Sequence, residues 1–326
     1  MTSIMVIAEV SANHNGCKRR ALDIIAAAAD AGATHCKIQS YTPETISAPG
    51  TPQRRVYADA YTPREWHDDL FAAIRSRGMV AVGTPYSLQD LEFLRQYELS
   101  VLKISSFDVV NTPLISACAD TRAHLLISTG MASWEELFVA EGICRLGRGG
   151  YRSSDEQTWL HCTSGYPASP SEARIGLMVE LADDGRRMVG ISDHTTNTDV
   201  IKAAVAAGAV AVEAHLDLSD RAGYDAAFSL VPRELAFAVD EIRATQSILG
   251  NAQTRSLARS EVPHYKSRPS LWVNRPLAVG SVLSREDLSV VRPSDGLPPR
   301  WLERCVGRRL SADVDAWTPL TMELLA

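Results

Sequence analysis

The sequence predicts an α/β chain in which a (β/α)8 TIM barrel is followed by a small C-terminal β-rich unit. Three observations carry the prediction. Eight short β-rich runs alternate with stretches of helical periodicity between residues 4 and 215, the pattern of strand–helix units wound around a parallel sheet. Glycines stand directly after three of the helical stretches, where a helix ends in the left-handed conformation. The C-terminal ends of the strands carry ionisable and hydroxyl side chains, and in a barrel those ends form the single face on which active sites are built. A doubly wound parallel sheet is the alternative that alternation by itself leaves open.

The strands are expected at Ile4–Val10, Thr34–Gln39, Met79–Thr84, Val101–Ser105, Ala123–Ser128, Thr158–Thr163, Met188–Ser192 and Val210–His215. Helical periodicity covers Arg19–Ala31, Pro63–Ser76, Leu88–Tyr97, Trp134–Leu146 and Val200–Ala207, with Gly32, Gly78 and Gly208 as the terminating glycines. From Gly250 to Ser270 the chain turns polar and proline-containing, which reads as a linker. The expected organisation is therefore a catalytic barrel over 1–250, a linker over 251–268 and a second unit over 269–326. That unit has short apolar runs punctuated by Pro and Gly, and it is too small for a large core of its own.

Composition narrows the function. The 326 residues are 45% apolar and 22% charged, ordinary for a globular chain. With 33 basic against 39 acidic residues the net charge is −6, so no global positive field recruits nucleic acid or an anionic membrane. The longest apolar stretches, Ile24–Ala29 and Ala203–Val212, fall short of the roughly 20 residues that span a bilayer. Met1–Ile7 has no basic leader pattern, so a cytoplasmic location is expected. Six scattered cysteines lack CxxC spacing and fit neither a zinc knuckle nor a disulfide framework.

Two groups of strand-end residues carry chemistry. His194 and His215 close neighbouring strands 21 residues apart, and paired imidazoles at adjacent barrel mouths suit a divalent metal. Two protein ligands are too few for a closed structural site, which leaves positions for water and substrate. Lys37 and Lys103 lie at strand ends among the hydroxyls of Thr84, Ser106, Ser128 and Ser192. Two ammonium groups ringed by hydroxyl donors match a substrate that carries both phosphate and carboxylate. A Schiff-base lysine is an alternative, as is plain pairing of both lysines with Glu9 and Asp108.

The motifs AEVSANHNG (8–16), CKIQSYTPETI (36–46), TPYSLQDLEFL (84–94), LKISSFDVVNTPLI (102–115), STGM (128–131), HCTSGYP (161–167), GISDHT (190–195), VEAHL and GYDAAFS (223–229) together resemble the sialic acid synthase family. The tail from residue 268 is similar to that family's antifreeze-like SAF domain. Within the family, SANH, KIQSYTP, YTPREWH, KISSFD and VVRPSDGLPP most resemble the pseudaminate-forming members. The resemblance implies condensation of phosphoenolpyruvate with an aldehyde amino sugar to give a nine-carbon 2-keto-3-deoxy acid and phosphate. It implies Mn²⁺, with Mg²⁺ or Co²⁺ as alternatives, on His194 and His215. Phosphoenolpyruvate would be held by Lys37, Gln39, Thr84, Lys103, Ser106, Ser128 and Ser192, with Glu9, Asp108 and Lys103 catalytic. The sugar would meet Asn13, Tyr166, Asp225 and, from a domain-swapped homodimer, Arg292.

Several positions depart from the family pattern. Ala214 replaces the lysine of a Glu-Lys-His run, which is expected to change the local charge, and Asp108 stands where glutamate is common. Ser164 replaces an asparagine, and the loop over 48–60 is expected to be short while helping to enclose the sugar. These departures bear on the acceptor, so N-acetylneuraminate or legionaminate synthesis, another aldehyde, or a barrel that binds without turnover are the rival expectations.

Overall fold

The computed structural model describes residues 4–146, 156–183, 185–250 and 256–326. Strands β1 (Met5–Glu9), β2 (His35–Ser40), β3 (Val80–Pro85), β4 (Val101–Ile104), β5 (His124–Ser128), β6 (Gln157–Cys162), β7 (Met188–Asp193) and β8 (Ala211–His215) pair in chain order, and β8 returns to β1. Every pairing is parallel, so the sheet closes as a (β/α)8 barrel and the doubly wound alternative falls. The expected strands are all present, shifted by about a residue or two at their ends.

The expected helices occur at Lys18–Asp30, His67–Ser76, Leu88–Arg95, Trp134–Arg145 and Thr198–Ala206. Gly32, Gly78 and Gly208 have φ of +90°, +77° and +103°, and the amides of Ala33, Met79 and Ala209 reach back to the carbonyls of Ala28, Ile74 and Ala204. This is the six-to-one closure that a left-handed glycine permits. Further helices form at Thr112–Ala119, Ile175–Leu181 and Pro232–Leu249. The segment expected as a loop over 48–60 instead contains a helix at Pro52–Ala60, because Pro52 supplies a pre-set first turn and the residues after it contain no helix breaker.

Alternation along the strands sorts residues into two cores. One side of the sheet packs on the helices through Ile24, Ile25, Leu70, Phe71, Ile74 and Trp159. The other fills the barrel with Ile7, Val82, Val101, Leu126, Leu160 and Ala211. This interior plug excludes water and is the floor on which the polar strand ends stand.

Residues 1–250 and 251–326 form two compact units. The second contains a three-stranded antiparallel sheet with β9 (Ser270–Val273) between β10 (Leu288–Val291) and β11 (Thr318–Pro319). Its own small core includes Leu271, Val273, Leu283, Cys305, Leu310 and Leu320. Residues 251–255 of the expected linker lie outside the described residues, and Val262–Ser267 form a short 3-10 helix.

Gly190 of β7 has no room for a side chain: a Cβ there would lie 2.4 Å from the Ala211 carbonyl oxygen and 2.8 Å from Leu160 Cδ2. Gly190→Ala should therefore lower stability by about 2–3 kcal/mol through overpacking of the barrel interior. Urea unfolding of the two proteins measures this, and an unchanged midpoint would show that β7 and β8 can separate freely.

Candidate active site

Above the apolar floor, inward alternation delivers Glu9 from β1, Lys37 and Gln39 from β2, Lys103 from β4, Ser128 from β5, Cys162 from β6, Ser192 from β7, and Glu213 and His215 from β8. They line a cavity of about 340 Å³. Register explains the closest contacts, since Glu9 is level with Lys37 on one side and His215 on the other, and Ser192 is level with Glu213.

Four buried charges form the base of this cavity. Lys37 Nζ lies 2.7 Å from Glu9 Oε2 and 2.8 Å from Glu213 Oε1, and Lys103 Nζ lies 3.4 Å from the same Glu213 oxygen. That oxygen also accepts a 2.8 Å hydrogen bond from Ser192 Oγ. Burial works against charge on Lys37, Lys103 and Glu213, but for Glu213 the two lysines more than offset it and hold the carboxyl far below the usual range. For Lys37 burial is likewise outweighed by Glu213 and Glu9, and its ammonium is held above the ordinary lysine value. Lys103 is different. Burial dominates there, Glu213 only partly compensates, and its ammonium is pushed down to about 8.

Hydroxyl donors surround Lys103. Ser106 Oγ accepts the Gly130 amide at 3.1 Å, and the buried hydroxyl of Ser128 has no hydrogen-bond partner among the described residues. Asp108 lines the same cavity from the 3-10 turn Ser106–Asp108, where it accepts a 2.5 Å bond from Ser105 Oγ. Burial raises its carboxyl above the ordinary value. Gln39 donates to Ser11 Oγ at 2.9 Å, which leaves its carbonyl oxygen free.

The histidines meet at the rim with ring centroids 5.3 Å apart. His194 Nδ1 faces the Thr163 carbonyl at 3.2 Å, so it carries the proton and Nε2 keeps its lone pair. Burial, with His215 nearby, pushes His194 down to about 3, which makes it neutral imidazole. His215 Nδ1 lies 3.2 Å from Asp225 Oδ2, off the line of a hydrogen bond. Two imidazoles, each with an oxygen facing its Nδ1, fit a divalent cation that takes its remaining ligands from outside the protein. Among the described residues no set of three His, Cys, Asp or Glu side chains converges as a metal cluster.

Of the residues singled out from the sequence, Glu9, Lys37, Gln39, Lys103, Ser106, Asp108, Ser128, Tyr166, Ser192, His194, His215 and Asp225 line this one cavity. Three do not. Asn13 is fully buried with its amide engaged: Nδ2 donates to the Leu216 carbonyl and Ser229 Oγ, each at 2.9 Å, and Oδ1 accepts the Asp225 amide at 2.8 Å. It therefore shapes the loop that carries Asp225 and presents nothing to a sugar. Thr84 is buried at the end of β3, off the cavity lining, with its hydroxyl unpartnered. Arg292 belongs to the second unit, where its side chain is exposed. The change expected from Ala214 does not reach the site: period two turns this residue outward into the helix-facing core.

The cavity also contains groups to which the sequence reading assigned no role. Glu213 is the shared counter-ion of both lysines, and Ser11, Tyr41, Ile46, Tyr57, Tyr86 and Phe228 form the upper walls. Alternation would have placed Glu213 and Tyr41 inward, but their partners come from strands distant in sequence.

Comparison with known proteins gives the family. The NeuB family model matches residues 24–254 and the SAF domain model matches residues 268–326. A pseudaminic acid synthase of Campylobacter jejuni is 30% identical over 327 residues, covering 96% of this chain and 94% of that protein. An N,N'-diacetyllegionaminic acid synthase of Legionella pneumophila is 32% identical over 334 residues, covering 98% and 93%. Among solved structures, an N-acetylneuraminic acid synthetase from Leptospira borgpetersenii superposes with a TM-score of 0.74 at 29% identity, covering 80% of this chain and 90% of that one. The chain belongs to the NeuB family, is an enzyme, and carries a C-terminal SAF domain.

Gly130 sits where a Cβ would lie 2.2 Å from Ser164 Oγ and 2.8 Å from Ser106 Oγ. Gly130→Ala should push both hydroxyls aside and weaken binding of inorganic phosphate about tenfold, the loss of roughly one good hydrogen bond. Calorimetric titration checks this, and wild-type affinity would remove Ser106 from the anion cradle.

Proposed function

We propose that this cavity condenses phosphoenolpyruvate with an aldehyde amino sugar, and that the enzyme is a pseudaminic acid synthase whose acceptor is a diacetamido-trideoxy hexose. The observation that supports this reading is the pairing, in one cavity, of two buried ammonium groups and several hydroxyls with two adjacent imidazoles. The first set is built for a small molecule carrying phosphate and carboxylate, the second for activation of a carbonyl.

Lys103, Ser106, Ser128 and Ser192 hold the phosphate, and Lys37 holds the carboxylate with Thr84 behind it. Gln39 lies beside the enol fragment. Carbon 3 of phosphoenolpyruvate forms the new bond to the aldehyde carbon, water adds at carbon 2, and cleavage of the bond from carbon 2 to the bridging oxygen releases phosphate. One proton of that water ends on the new sugar hydroxyl and the other on phosphate. Asp108, its carboxyl raised by burial, and Glu9 are placed to move these protons. A divalent cation on His194 and His215, Mn²⁺ foremost, would polarise the aldehyde. In this reading the SAF unit of one subunit caps the barrel of another and contributes Arg292 to its sugar site.

Phosphate release from phosphoenolpyruvate should depend on the acceptor and on the divalent cation. His215→Ala should lower turnover about a hundredfold or more while the folded state persists. EDTA should abolish release, and product mass identifies the acceptor. Borohydride trapping of a lysine, favoured by the lowered ammonium of Lys103, together with activity that survives EDTA would replace this mechanism by a Schiff base. Binding of phosphoenolpyruvate without release for any acceptor would leave a binding barrel.

The state of Lys103 sets a pH dependence. Its value in the folded protein lies below the ordinary one, so the ammonium loses its proton as pH rises through about 8. The dissociation constant for phosphoenolpyruvate should be flat below about pH 8 and rise about tenfold per unit above it. A flat profile up to pH 10 would show that Lys103 does not bind the ligand as a cation.

A further inference from the structure

One wall of the cavity takes no part in the chemistry above. Alternation carried past the end of β2, beyond Lys37 and Gln39, delivers Tyr41, and past Thr84 of β3 it delivers Tyr86. Tyr41 is 3% exposed, and its ring packs edge-on against Tyr86 at 5.1 Å and Tyr57 at 5.6 Å between centroids. Ile46 and Tyr57 come from the helices Pro43–Ile46 and Pro52–Ala60, which cross this side of the mouth. The longer helix buries only Ala60, and Tyr57 is the aromatic it contributes to the cavity. The segment is tied down at its start by Thr45 Oγ1, 3.0 Å from the buried Asp90 carboxylate, which also pairs with Arg64.

The chemistry of this wall is specific. It offers ring faces and an isoleucine side chain, together with phenol hydroxyls that find no hydrogen-bond partner in the protein among the described residues. Burial raises the phenols of Tyr41 and Tyr86 well above the usual tyrosine value, so both remain protonated donors. A group matched to such a surface has an apolar end and a carbonyl acceptor, as an acylamino group has. A sugar hydroxyl in its place could also accept from a phenol, but it would exchange water for an apolar surface and bring no methyl to cover the rings and Ile46.

We propose that Tyr41, Ile46, Tyr57 and Tyr86 form the specificity wall for the acceptor and hold a second acylamino substituent, its methyl against Ile46 and Tyr57 and its carbonyl on a phenol hydroxyl. The inference rests on the condensing reading and extends it to the residues that choose the sugar. The enzyme then prefers diacetamido acceptors to acceptors with one acylamino group and a hydroxyl at the second position.

The test is the ratio of kcat/KM for a diacetamido-trideoxy hexose and for N-acetylmannosamine, measured by phosphate release with the full-length protein and Mn²⁺. Apolar groups of this size discriminate by about 10–200-fold, so the wild-type ratio should be about a hundredfold. Tyr57→Ala and Ile46→Ser should each reduce it about tenfold through the KM of the diacetamido acceptor, while the KM of phosphoenolpyruvate stays within about twofold. Tyr57→Phe keeps the ring and should retain most of the preference, which separates contact with the acceptor from a general loosening of the segment. Release with both acceptors at similar efficiency, or a ratio that neither Tyr57→Ala nor Ile46→Ser changes, would overturn this inference and leave the condensing reading standing. Absence of release with either acceptor, despite intact phosphoenolpyruvate binding, would overturn both.

Discussion

A balanced set of four buried charges governs the organisation of the active face. Lys37 and Lys103 face Glu9 and Glu213 above an interior made of Ile7, Val82, Val101, Leu126, Leu160 and Ala211. Removing one partner of a buried pair costs ~3–5 kcal/mol because the other is left uncompensated, so the four are coupled. Glu213 is the hinge of the set, bonded to Lys37 at 2.8 Å and to Ser192 at 2.8 Å but only 3.4 Å from Lys103. That inequality divides the lysines. Lys37 has two close carboxylates and holds its charge firmly, whereas Lys103 has one distant carboxylate and a value near 8. Lys103 is therefore the cation with most to gain from an arriving anion, and the hydroxyls of Ser106 and Ser128 lie on its side.

The loops above this base are fixed by hydrogen bonds that cross from the first strand to the last. Asn13, four residues beyond β1, joins the Leu216 carbonyl, Ser229 Oγ and the Asp225 amide. Arg20 extends the same seam to Asp217 at 2.6 Å, and Asp217 accepts the Gly223 amide at 2.8 Å. Gly223 allows this closeness, since a Cβ there would fall 2.2 Å from Asn13 Oδ1. The result places Asp225 behind His215, so the orientation of a candidate metal ligand depends on residues that never touch the cavity.

Much of this was legible in the sequence because barrels obey short-range rules. Strand alternation and the terminating glycines located the eight units, and the strand ends gave Lys37, Lys103, His194 and His215 before any geometry was known. What sequence alone misjudged depends on partners distant along the chain. Asn13 is a sugar ligand only by the family resemblance; the position of the 216–229 loop shows that every polar atom of its side chain is engaged. Glu213 was visible as a strand-end carboxylate, but its role as a shared counter-ion needs β2 and β4 on either side. The segment over 48–60 is a loop by the family resemblance, whereas the chain forms a helix over Pro52–Ala60 that buries only Ala60 and so owes little to the core.

Side-chain parity also decides which departures from the family pattern reach the site. Residue 214 lies between the inward Glu213 and His215, so it points into the helix-facing core, where alanine is an apolar fit and the loss of a lysine removes no charge from the cavity. Asp108 and Ser164 lie on the other side of that division. Asp108 lines the cavity, and Ser164 stands so close to Gly130 that it shares the space holding Ser106 in place. Variation at 214 is therefore silent for the buried charges, whereas variation at 108 and 164 acts at or beside the cavity hydroxyls. The walls built by residues after the strands, where parity persists but regular pairing has ended, are free to vary without disturbing the balanced base. A barrel constructed in this way can keep one condensation chemistry while its rim selects among sugars.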